Sequence, residues 1–167
     1  NIMKSITPEI VKVAPKALYI IVSNPCDIMT YAFAKLSGLP ESQILGSGTA
    51  LDTARLRCRL SRHYGVSEKN IHAYVFGEHG DTSFVPWSRA FVAGATLDEF
   101  DKIAHEDQKD MPPLDKEEVL EYVHTSGSTV IAKKGATFYA VAVSVCRLCS
   151  LLLAASDTIV SVSTMLH

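Results

Sequence analysis

The sequence predicts an α/β protein, because stretches typical of buried strands alternate along its 167 residues with stretches typical of helices. Residues 17–22 form an unbroken apolar run rich in Ile, Val and Tyr, which is typical of a parallel-sheet strand covered on both faces. Residues 26–37 follow as a helix that Gly38 and Pro40 terminate. With 47% hydrophobic and 20% charged residues, the chain is long enough to bury a core, and its length alone suggests one domain.

The elements around this first strand and helix have patterns of their own. Residues 1–13 have a rough helical period, which predicts one helix or two short ones divided near Pro8. Residues 43–46 predict a short strand, and Thr49 is expected to cap a helix that ends at about Tyr64. The alternation of strand and helix therefore continues through the first half of the chain.

The rest of the sequence, after Tyr64, predicts further strands and three helices. A proline pair after Met111 ends the first of these helices, and Gly135 separates the other two. The expected elements are a strand at 70–76, a looser strand-rich stretch at 82–92, helices at 97–109, 116–133 and 137–154, and a final strand at 158–165.

Composition and charge exclude several classes of partner. A net charge of −2 and a pI near 6.3 give no reason to expect a nucleic-acid surface or a polybasic membrane patch, and local basic clusters are the alternative that net charge leaves open. The N-terminus has no signal-peptide pattern, and Arg147 and Asp157 interrupt the apolar runs near the C-terminus. We therefore expect a cytoplasmic protein whose partners are small molecules or protein, with no nucleic acid and no membrane.

The four cysteines are too few and too scattered for a disulfide scaffold. Cys146 and Cys149 have the spacing of half a zinc site or of a redox motif, but they lie inside an apolar helical stretch. No second ligand pair accompanies them, and the six histidines show no paired ligand spacing. We expect two core or helix-surface thiols and no metal.

Three residues in the first half could contact a ligand. Asp52 and Arg55 lie three residues apart on one predicted helix, so they share a face, although an ordinary surface ion pair is the favoured interpretation of this spacing alone. Asn24 follows the strand at 17–22, at the carboxyl end where open α/β sheets bind ligands. A turn residue before proline is the alternative for Asn24.

A histidine further along the chain favours a chemical role for Asp52 and Arg55 over a surface ion pair. It lies in the run Gly77-Glu78-His79-Gly80-Asp81 directly after a predicted strand, so a tight loop exposes a histidine to a ligand. Histidine changes its charge near neutral pH and is therefore a common proton donor and acceptor. A turn histidine without a chemical role is the alternative, favoured only where no Asp or Arg partner lies nearby.

Five short motifs stand in order along the chain: Ser23-Asn24-Pro25, Gly46-Ser47-Gly48-Thr49, Leu51-Asp52-Thr53-Ala54-Arg55, Gly77-Glu78-His79-Gly80-Asp81 and Lys134-Gly135-Ala136-Thr137. Together they resemble motifs of the L-lactate/malate dehydrogenase family, and the likeness extends over essentially the whole chain. The wording of Leu51-Asp52-Thr53-Ala54-Arg55 and of Gly77-Glu78-His79-Gly80-Asp81 is more similar to the lactate branch than to the malate branch.

The resemblance implies an NAD-dependent oxidoreductase that interconverts pyruvate and L-lactate, with His79 as proton donor and acceptor. Asp52 is implied as the carboxylate that fixes the ring tautomer, and Arg55 as the bidentate partner of the substrate carboxylate. This agrees with the chemistry, because reduction of a 2-oxo acid needs a hydride on carbon and a proton on oxygen. Malate and other L-2-hydroxy-acid dehydrogenases are alternatives, as is a non-catalytic assembly module.

The resemblance also implies which residues surround NAD and the substrate. Asn24 and Ser47 correspond to residues beside the nicotinamide and the reacting carbonyl, and Val22 corresponds to neighbouring backbone. Thr137 corresponds to the wall around the methyl end of the substrate, and Val141 to a residue packed against the nicotinamide. Simple burial is the alternative for Thr137 and Val141, because both lie on an apolar predicted helix.

Arg57 and His72 match positions with which many bacterial members of the family bind fructose 1,6-bisphosphate between subunits. The resemblance therefore implies an allosteric enzyme that assembles as a homotetramer. Two cationic groups that repel across an interface are neutralised by a bound phosphate. A solvated arginine and a strand histidine without this role are the alternative.

The family fold implies that residues 1–45 are the remnant of a Rossmann-type dinucleotide-binding domain and that residues 46–167 are an α+β catalytic domain truncated at its C-terminus. The sequence has no G-x-G-x-x-G fingerprint, because Leu51 stands where the third glycine after Gly46 and Gly48 would be. The fingerprint and the mobile lid with a second catalytic arginine are expected upstream of Asn1. We therefore predict negligible dehydrogenase turnover by these 167 residues alone.

Overall fold

The computed structural model describes residues 2–154 and 157–165 of the chain. Strands and helices alternate in the first half and helices dominate the second, which confirms the predicted α/β class. The helices are α1 (Ile2–Val13), α2 (Cys26–Ser37), α3 (Ala50–Tyr64), α4 (Leu97–Asp107), α5 (Lys116–Lys134) and α6 (Tyr139–Leu153). The strands are β1 (Tyr19–Ile21), β2 (Ile44–Gly46), β3 (Ile71–His72), β4 (Phe91–Val92) and β5 (Ala95–Thr96).

Strands β1 and β2 form a parallel pair, and α2 packs against both strands and against α1. The register places Ile21 beside Gly46, so both strands end at the same edge of the pair. Helix α1 continues as one helix through Pro8, which decides between the two forms that the sequence allows. Helix α2 ends at Gly38 with a φ of 65°, as the sequence predicts.

The main core is built on one buried face of α3. Asp52, Leu56, Leu60 and Tyr64 recur every four residues, so they share this face, and each is at most 5% exposed. The residues that cover the face come from the strands and helices that follow α3 and from the extended segment after β3: Ile71, Val75, Val92, Leu97, Val119 and Val123. Burial of each large apolar side chain stabilises the fold by about 1.5–3 kcal/mol. The centre of the face is apolar, whereas Asp52 and Tyr64 place polar atoms at its two ends.

Regular strand pairing is shorter than the sequence predicts. Of residues 70–76, only Ile71–His72 pair regularly, and Phe76 makes one antiparallel bridge with Phe84. The predicted final strand at 158–165 is wrong as a regular strand, because Ser163 makes a single bridge with Gly46. Side-chain alternation reports that one face of a segment is buried, but a ladder of hydrogen bonds also needs a neighbouring strand.

Helix α6 differs most from expectation. Its apolar sequence predicts burial, yet among its residues only Leu148 is buried, while Tyr139, Val143 and Leu153 are exposed. An apolar helix is buried only where another surface covers it. Within residues 2–154 and 157–165, no helix is both long enough and apolar enough to cross a membrane.

Candidate active site

Asp52 lies at the N-terminal end of the buried face of α3, and this position explains why a carboxylate is buried. The helix period that carries Leu56 into the core also carries Asp52 inward. A buried carboxylate is costly unless it is paired, and Asp52 has two partners. Arg55 Nη1 lies 3.0 Å from Oδ1, and His79 Nδ1 lies 2.5 Å from Oδ2.

Hydroxyl groups in the first turn of α3 hold the segment that leads to His79. Thr49 stands at the N-cap position, but its hydroxyl donates to the Val75 carbonyl at 2.6 Å, so the expected side-chain cap is wrong. The N–H of Val75 donates to Thr53 Oγ1 at 3.0 Å, and Thr53 Oγ1 lies 2.8 Å from Ser161 Oγ. The buried N–H and carbonyl groups of this extended segment need hydrogen-bond partners, and the two threonine hydroxyls supply them.

His79 follows this segment in a tight loop. Gly77 has a φ of 86°, a backbone conformation that favours glycine, and the chain turns there directly after the Phe76–Phe84 bridge. The hydrogen bond with Asp52 is the main cause that raises the pKa of His79 above its ordinary value, and the Asp52 charge adds to it. Burial and the Arg55 charge oppose this shift. The ring is therefore held protonated to higher pH than a free histidine.

The geometry is inconsistent with a surface ion pair for Asp52 and Arg55 and with a turn histidine that lacks an Asp or Arg partner for His79. The Asp52 and Arg55 side chains are 7% and 16% exposed, so they do not form a surface ion pair. His79 has the carboxylate partner whose absence would have favoured a turn histidine. Because arginine carries five N–H donors, Arg55 retains donors for a ligand beyond the one that contacts Asp52.

A cleft of about 260 Å³ opens beside this cluster. Six of the residues singled out in the sequence line it: Asn24, Asp52, Arg55, His79, Thr137 and Val141. Thr137 precedes α6 and Val141 lies in its first turn, and both are half-buried at the cleft wall. Burial in a core therefore does not account for either residue. Asn24 reaches the cleft from the carboxyl end of β1, where a cis peptide bond joins it to Pro25.

Val22 and Ser47 are not among the residues that line the cleft, and they lie at the edge of the parallel pair instead. Val22 follows β1 and Ser47 follows β2, and the Ser47 N–H donates to the Ile21 carbonyl at 2.8 Å. Ser47 Oγ lies 3.5 Å from Cys26 Sγ. This carboxyl edge is where open α/β sheets bind dinucleotides.

Arg57 and His72 lie apart from the cleft lining. Arg57 Nε donates to the Ala73 carbonyl at 3.0 Å, and its guanidinium carbon is 4.6 Å from the centre of the Tyr74 ring. His72 is exposed on β3. The half-buried Arg57 is therefore held against the strand segment that carries His72.

The sequence reasoning missed one wall of the cleft. His124, Gly127, Ser128 and Ile131 of α5 line it, and their spacing of three, four and seven residues places them on one helix face. His124 Nε2 lies 2.9 Å from Ser83 Oγ and 3.1 Å from the Ser83 carbonyl oxygen. The helical spacing from a histidine was the available signal, but this polar run matches no motif.

All four cysteines are free thiols. Cys146 is exposed and Cys149 half-buried on α6, which agrees with helix-surface thiols. Among the described residues, no group of three or more His, Cys, Asp or Glu side chains is arranged to hold a metal ion.

The fold and the cleft define a class of protein, an α/β protein whose buried carboxylate–histidine pair and neighbouring arginine suit proton transfer on an anionic ligand. Comparison with family models then gives the family. The lactate/malate dehydrogenase α/β C-terminal domain matches residues 49–167, and the NAD binding domain of lactate/malate dehydrogenase matches residues 1–46. The chain belongs to the lactate/malate dehydrogenase family.

Individual relatives agree with the family assignment. L-lactate dehydrogenase 1 of Clostridium acetobutylicum is 43% identical over the whole chain, which covers 52% of that relative, and L-lactate dehydrogenase of Clostridium perfringens is 42% identical over 99% of the chain and 51% of its own length. A lactate dehydrogenase from a Medee basin deep-sea metagenome library superposes with a TM-score of 0.90 at 32% identity, over 98% of this chain and 51% of that one. L-lactate dehydrogenase from Clostridium thermocellum superposes with a TM-score of 0.86 at 40% identity, over 99% of this chain and 53% of that one. The chain spans about half the length of the relatives it matches.

Proposed function

We propose that the protein containing this chain is an L-lactate dehydrogenase, an NAD-dependent oxidoreductase of glycolysis and pyruvate fermentation that interconverts pyruvate and L-lactate. The observation that carries the proposal is the 2.5 Å contact between His79 Nδ1 and Asp52 Oδ2, at a cleft that Arg55 also lines. The names of the relatives, each an L-lactate dehydrogenase, support this pair of substrates.

His79 is the proposed proton donor and acceptor. Asp52 accepts a hydrogen bond from Nδ1–H, which fixes the ring and leaves Nε2 as the nitrogen that exchanges a proton with the substrate. The raised pKa of His79 keeps the ring protonated, as reduction of a carbonyl oxygen to an alcohol requires. In the reverse direction, the neutral ring accepts the hydroxyl proton of L-lactate.

Arg55 is the proposed partner of the substrate carboxylate. A guanidinium can donate two parallel N–H bonds to a carboxylate, and its contact with buried Asp52 restrains the orientation of the fork. Asn24 is proposed beside the reacting carbonyl and Thr137 beside the methyl end of the substrate, because both line the same cleft as Arg55. This arrangement fits a short 2-oxo acid.

NAD supplies the hydride in the proposed reaction. The residues present fit its nicotinamide end, because Asn24 and Val141 line the cleft beside His79 and because Val22 and Ser47 lie at the carboxyl edge of β1 and β2. The sequence contains no G-x-G-x-x-G turn, so the usual cradle for the pyrophosphate is not among these 167 residues.

We propose the corresponding division of the chain, with residues 1–45 belonging to a dinucleotide-binding domain and residues 46–167 to the substrate domain. Since the pyrophosphate cradle is not part of this sequence, the 167-residue chain alone should reduce pyruvate negligibly. An assay that follows the loss of NADH absorbance with pyruvate checks this, and robust turnover by the chain alone would contradict it. The same assay on a protein that contains the upstream segments should give activity.

The substitution Arg55→Lys in that longer protein tests the substrate site. Loss of the bidentate contact should raise KM for pyruvate by about 100-fold, since lysine cannot reproduce the planar fork. Arg62→Lys, at an exposed position on the same helix, is the matched control and should leave KM unchanged. An unchanged KM in Arg55→Lys would refute the carboxylate assignment.

Two alternatives have distinct outcomes in the same assay. Preference for oxaloacetate over pyruvate would make the protein a malate dehydrogenase, and preference for a longer 2-oxo acid would indicate another L-2-hydroxy-acid dehydrogenase. A longer protein with no turnover on any of these substrates would favour a non-catalytic assembly module.

For regulation, we propose a homotetramer activated by fructose 1,6-bisphosphate through Arg57 and His72. The support is that Arg57 lies against the strand segment that carries the exposed His72. Activity of the longer protein that is indifferent to fructose 1,6-bisphosphate at neutral pH would remove this proposal. A cytoplasmic location is proposed as well, and the four free thiols support it.

A further inference from the structure

Asp27, in the first turn of α2, connects three segments that are distant in sequence. Its Oδ2 accepts the backbone N–H of His79 at 2.8 Å, across 52 residues of chain. Its Oδ1 accepts the hydroxyl of Ser163, across 136 residues. A single carboxylate therefore links the start of α2, the His79 loop and the segment near the C-terminus.

Ser163 is itself fixed by backbone pairing with Gly46. The Gly46 N–H donates to the Ser163 carbonyl at 2.9 Å, and the Ser163 N–H donates to the Gly46 carbonyl at 3.1 Å. The approach is close, because a Cβ built on Gly46 would lie 2.9 Å from the Ser163 Cβ. One oxygen of Asp27 is thus anchored at the end of β2, which orients the other toward the His79 loop.

Apart from Asp27, the backbone of the His79 loop is held by the Phe76–Phe84 bridge at its base and by the Ser83 N–H, which donates to the Gly80 carbonyl at 3.2 Å. Glycines stand near His79 on both sides, and a Cβ added to Gly80 would meet no atom within 4 Å. Asp52 holds the ring from one side, whereas Asp27 holds the main chain from another. Charge acts in the same sense, since Asp52 and Asp27 both raise the pKa of His79 and Arg55 lowers it.

We propose that Asp27 is a positioning residue for His79, which clamps the backbone of the loop so that the ring can face Asp52 and the cleft together. The proposal rests on the proposed role of His79 in proton transfer. Asp27 acts through His79 and does not line the cleft itself. A carboxylate that accepts a backbone N–H forms a charge-assisted hydrogen bond, which is stronger than a neutral one.

The test is a titration of the His79 ring, followed by NMR in the 167-residue chain and in three variants. Asp27→Asn keeps an acceptor for the His79 N–H but removes the charge, so the proton affinity of His79 should fall about threefold. Asp27→Ala removes both, so the affinity should fall about tenfold and the amide proton of His79 should move upfield. Glu78→Gln is the matched control, because Glu78 is exposed beside His79 and contacts Thr82 instead.

The proposal is overturned if folded Asp27→Ala titrates like the wild type, or if Glu78→Gln shifts His79 as much as the Asp27 variants do. Where Asp27→Ala does not fold, Asp27→Asn decides, and an unchanged His79 titration then counts against the clamp. A merely structural role would lower stability without moving the ring titration. The titration does not depend on turnover. Absence of pyruvate reduction by the longer protein would contradict the proposed function, whereas the effect of Asp27 on the His79 titration would still be measured.

Discussion

The two ends of α3 each bring an aspartate close to a histidine, and the outcomes are opposite. At the N-terminal end, Asp52 contacts the ring of His79 directly, and the pKa of His79 is raised. At the C-terminal end, Asp101 accepts the Tyr64 hydroxyl at 2.9 Å, and burial lowers the pKa of the neighbouring His63. Proximity to a carboxylate is therefore not sufficient, because the direct hydrogen bond decides which protonation state is favoured.

The second end is also incompletely paired. Among the described residues, the buried Nε2 atoms of His63 and His105 have no hydrogen-bond partner. His105 Nδ1 lies 2.7 Å from the Asp101 carbonyl oxygen and 3.6 Å from Asp101 Oδ2, while Asp101 Oδ1 accepts the Tyr64 hydroxyl. One end of the helix thus has a directly hydrogen-bonded aspartate–histidine pair, whereas the other has two histidine nitrogens without partners among the described residues.

Removal of the carboxylate at the first end should have the largest effect. In Asp52→Asn, only the smaller effect of the Asp27 charge still opposes burial and Arg55, so the pKa of His79 should fall below 6.5, with about a tenfold loss of proton affinity. NMR titration of the ring measures this. Asp101→Asn, at the other end, is the control and should leave His79 unchanged.

The stability of Asp52→Asn should also depend on pH differently from that of the wild type. The folded state raises the pKa of His79, so protonation of this ring stabilises the folded state. This stabilisation is fully present below pH 6.5 and is lost as pH rises through the raised pKa. The gap in unfolding free energy between wild type and Asp52→Asn should therefore be widest below pH 6.5. Urea unfolding across pH 5 to 9 tests this, and a gap that widens as pH rises would contradict it.

Removal of the hydroxyl at the second end should have a moderate effect. Tyr64→Phe keeps the edge-to-face contact with Phe100, whose ring centre is 5.2 Å away, but it removes the bond to Asp101. The expected loss of unfolding free energy is about 1–2 kcal/mol, measured by urea unfolding at pH 8. Tyr122→Phe, at a more exposed position, is the control and should cost less than about 0.5 kcal/mol. An equal loss of unfolding free energy in both variants would show that the bond between Tyr64 and Asp101 adds no stability.

His63 should have the smallest effect, with a pH dependence of opposite sign to that of His79. Its pKa is lowered by burial, so the unfolded chain binds the proton more readily, and stability should decline as pH falls from 6.5 through the lowered pKa. His63→Gln should remove this decline, by less than about 1 kcal/mol between pH 7 and pH 5. Thermal unfolding at several pH values measures the slope, and a variant that keeps the wild-type slope would contradict the assignment to His63.

Much of the candidate site was readable from local patterns. The spacing of Asp52 and Arg55 predicts a shared helix face, and the glycines around His79 predict an exposed loop, because both features depend on backbone geometry within a few residues. The meeting of Asp52 with His79 joins positions 27 residues apart. It was expected only through the family resemblance, since chain separation alone does not report contact.

Other residues carried no usable sequence signal. Asp27 resembles an ordinary acidic residue in the first turn of a helix, which the helix dipole favours in any case. His124 looks like one more residue of a polar helix, although it lines the cleft and contacts Ser83. Their importance comes from which segments the fold brings against them.

The sequence by itself determined the α/β class, the approximate helix limits and the residues able to carry proton-transfer chemistry, because hydrophobic period and residue type act locally. Tertiary structure decided that Asp52 is buried and contacts His79, that Thr49 bonds to Val75 instead of capping α3, and that α6 leaves its apolar face exposed. Those outcomes depend on which surfaces meet. A buried polar group finds its hydrogen-bond partner only when distant segments pack against it.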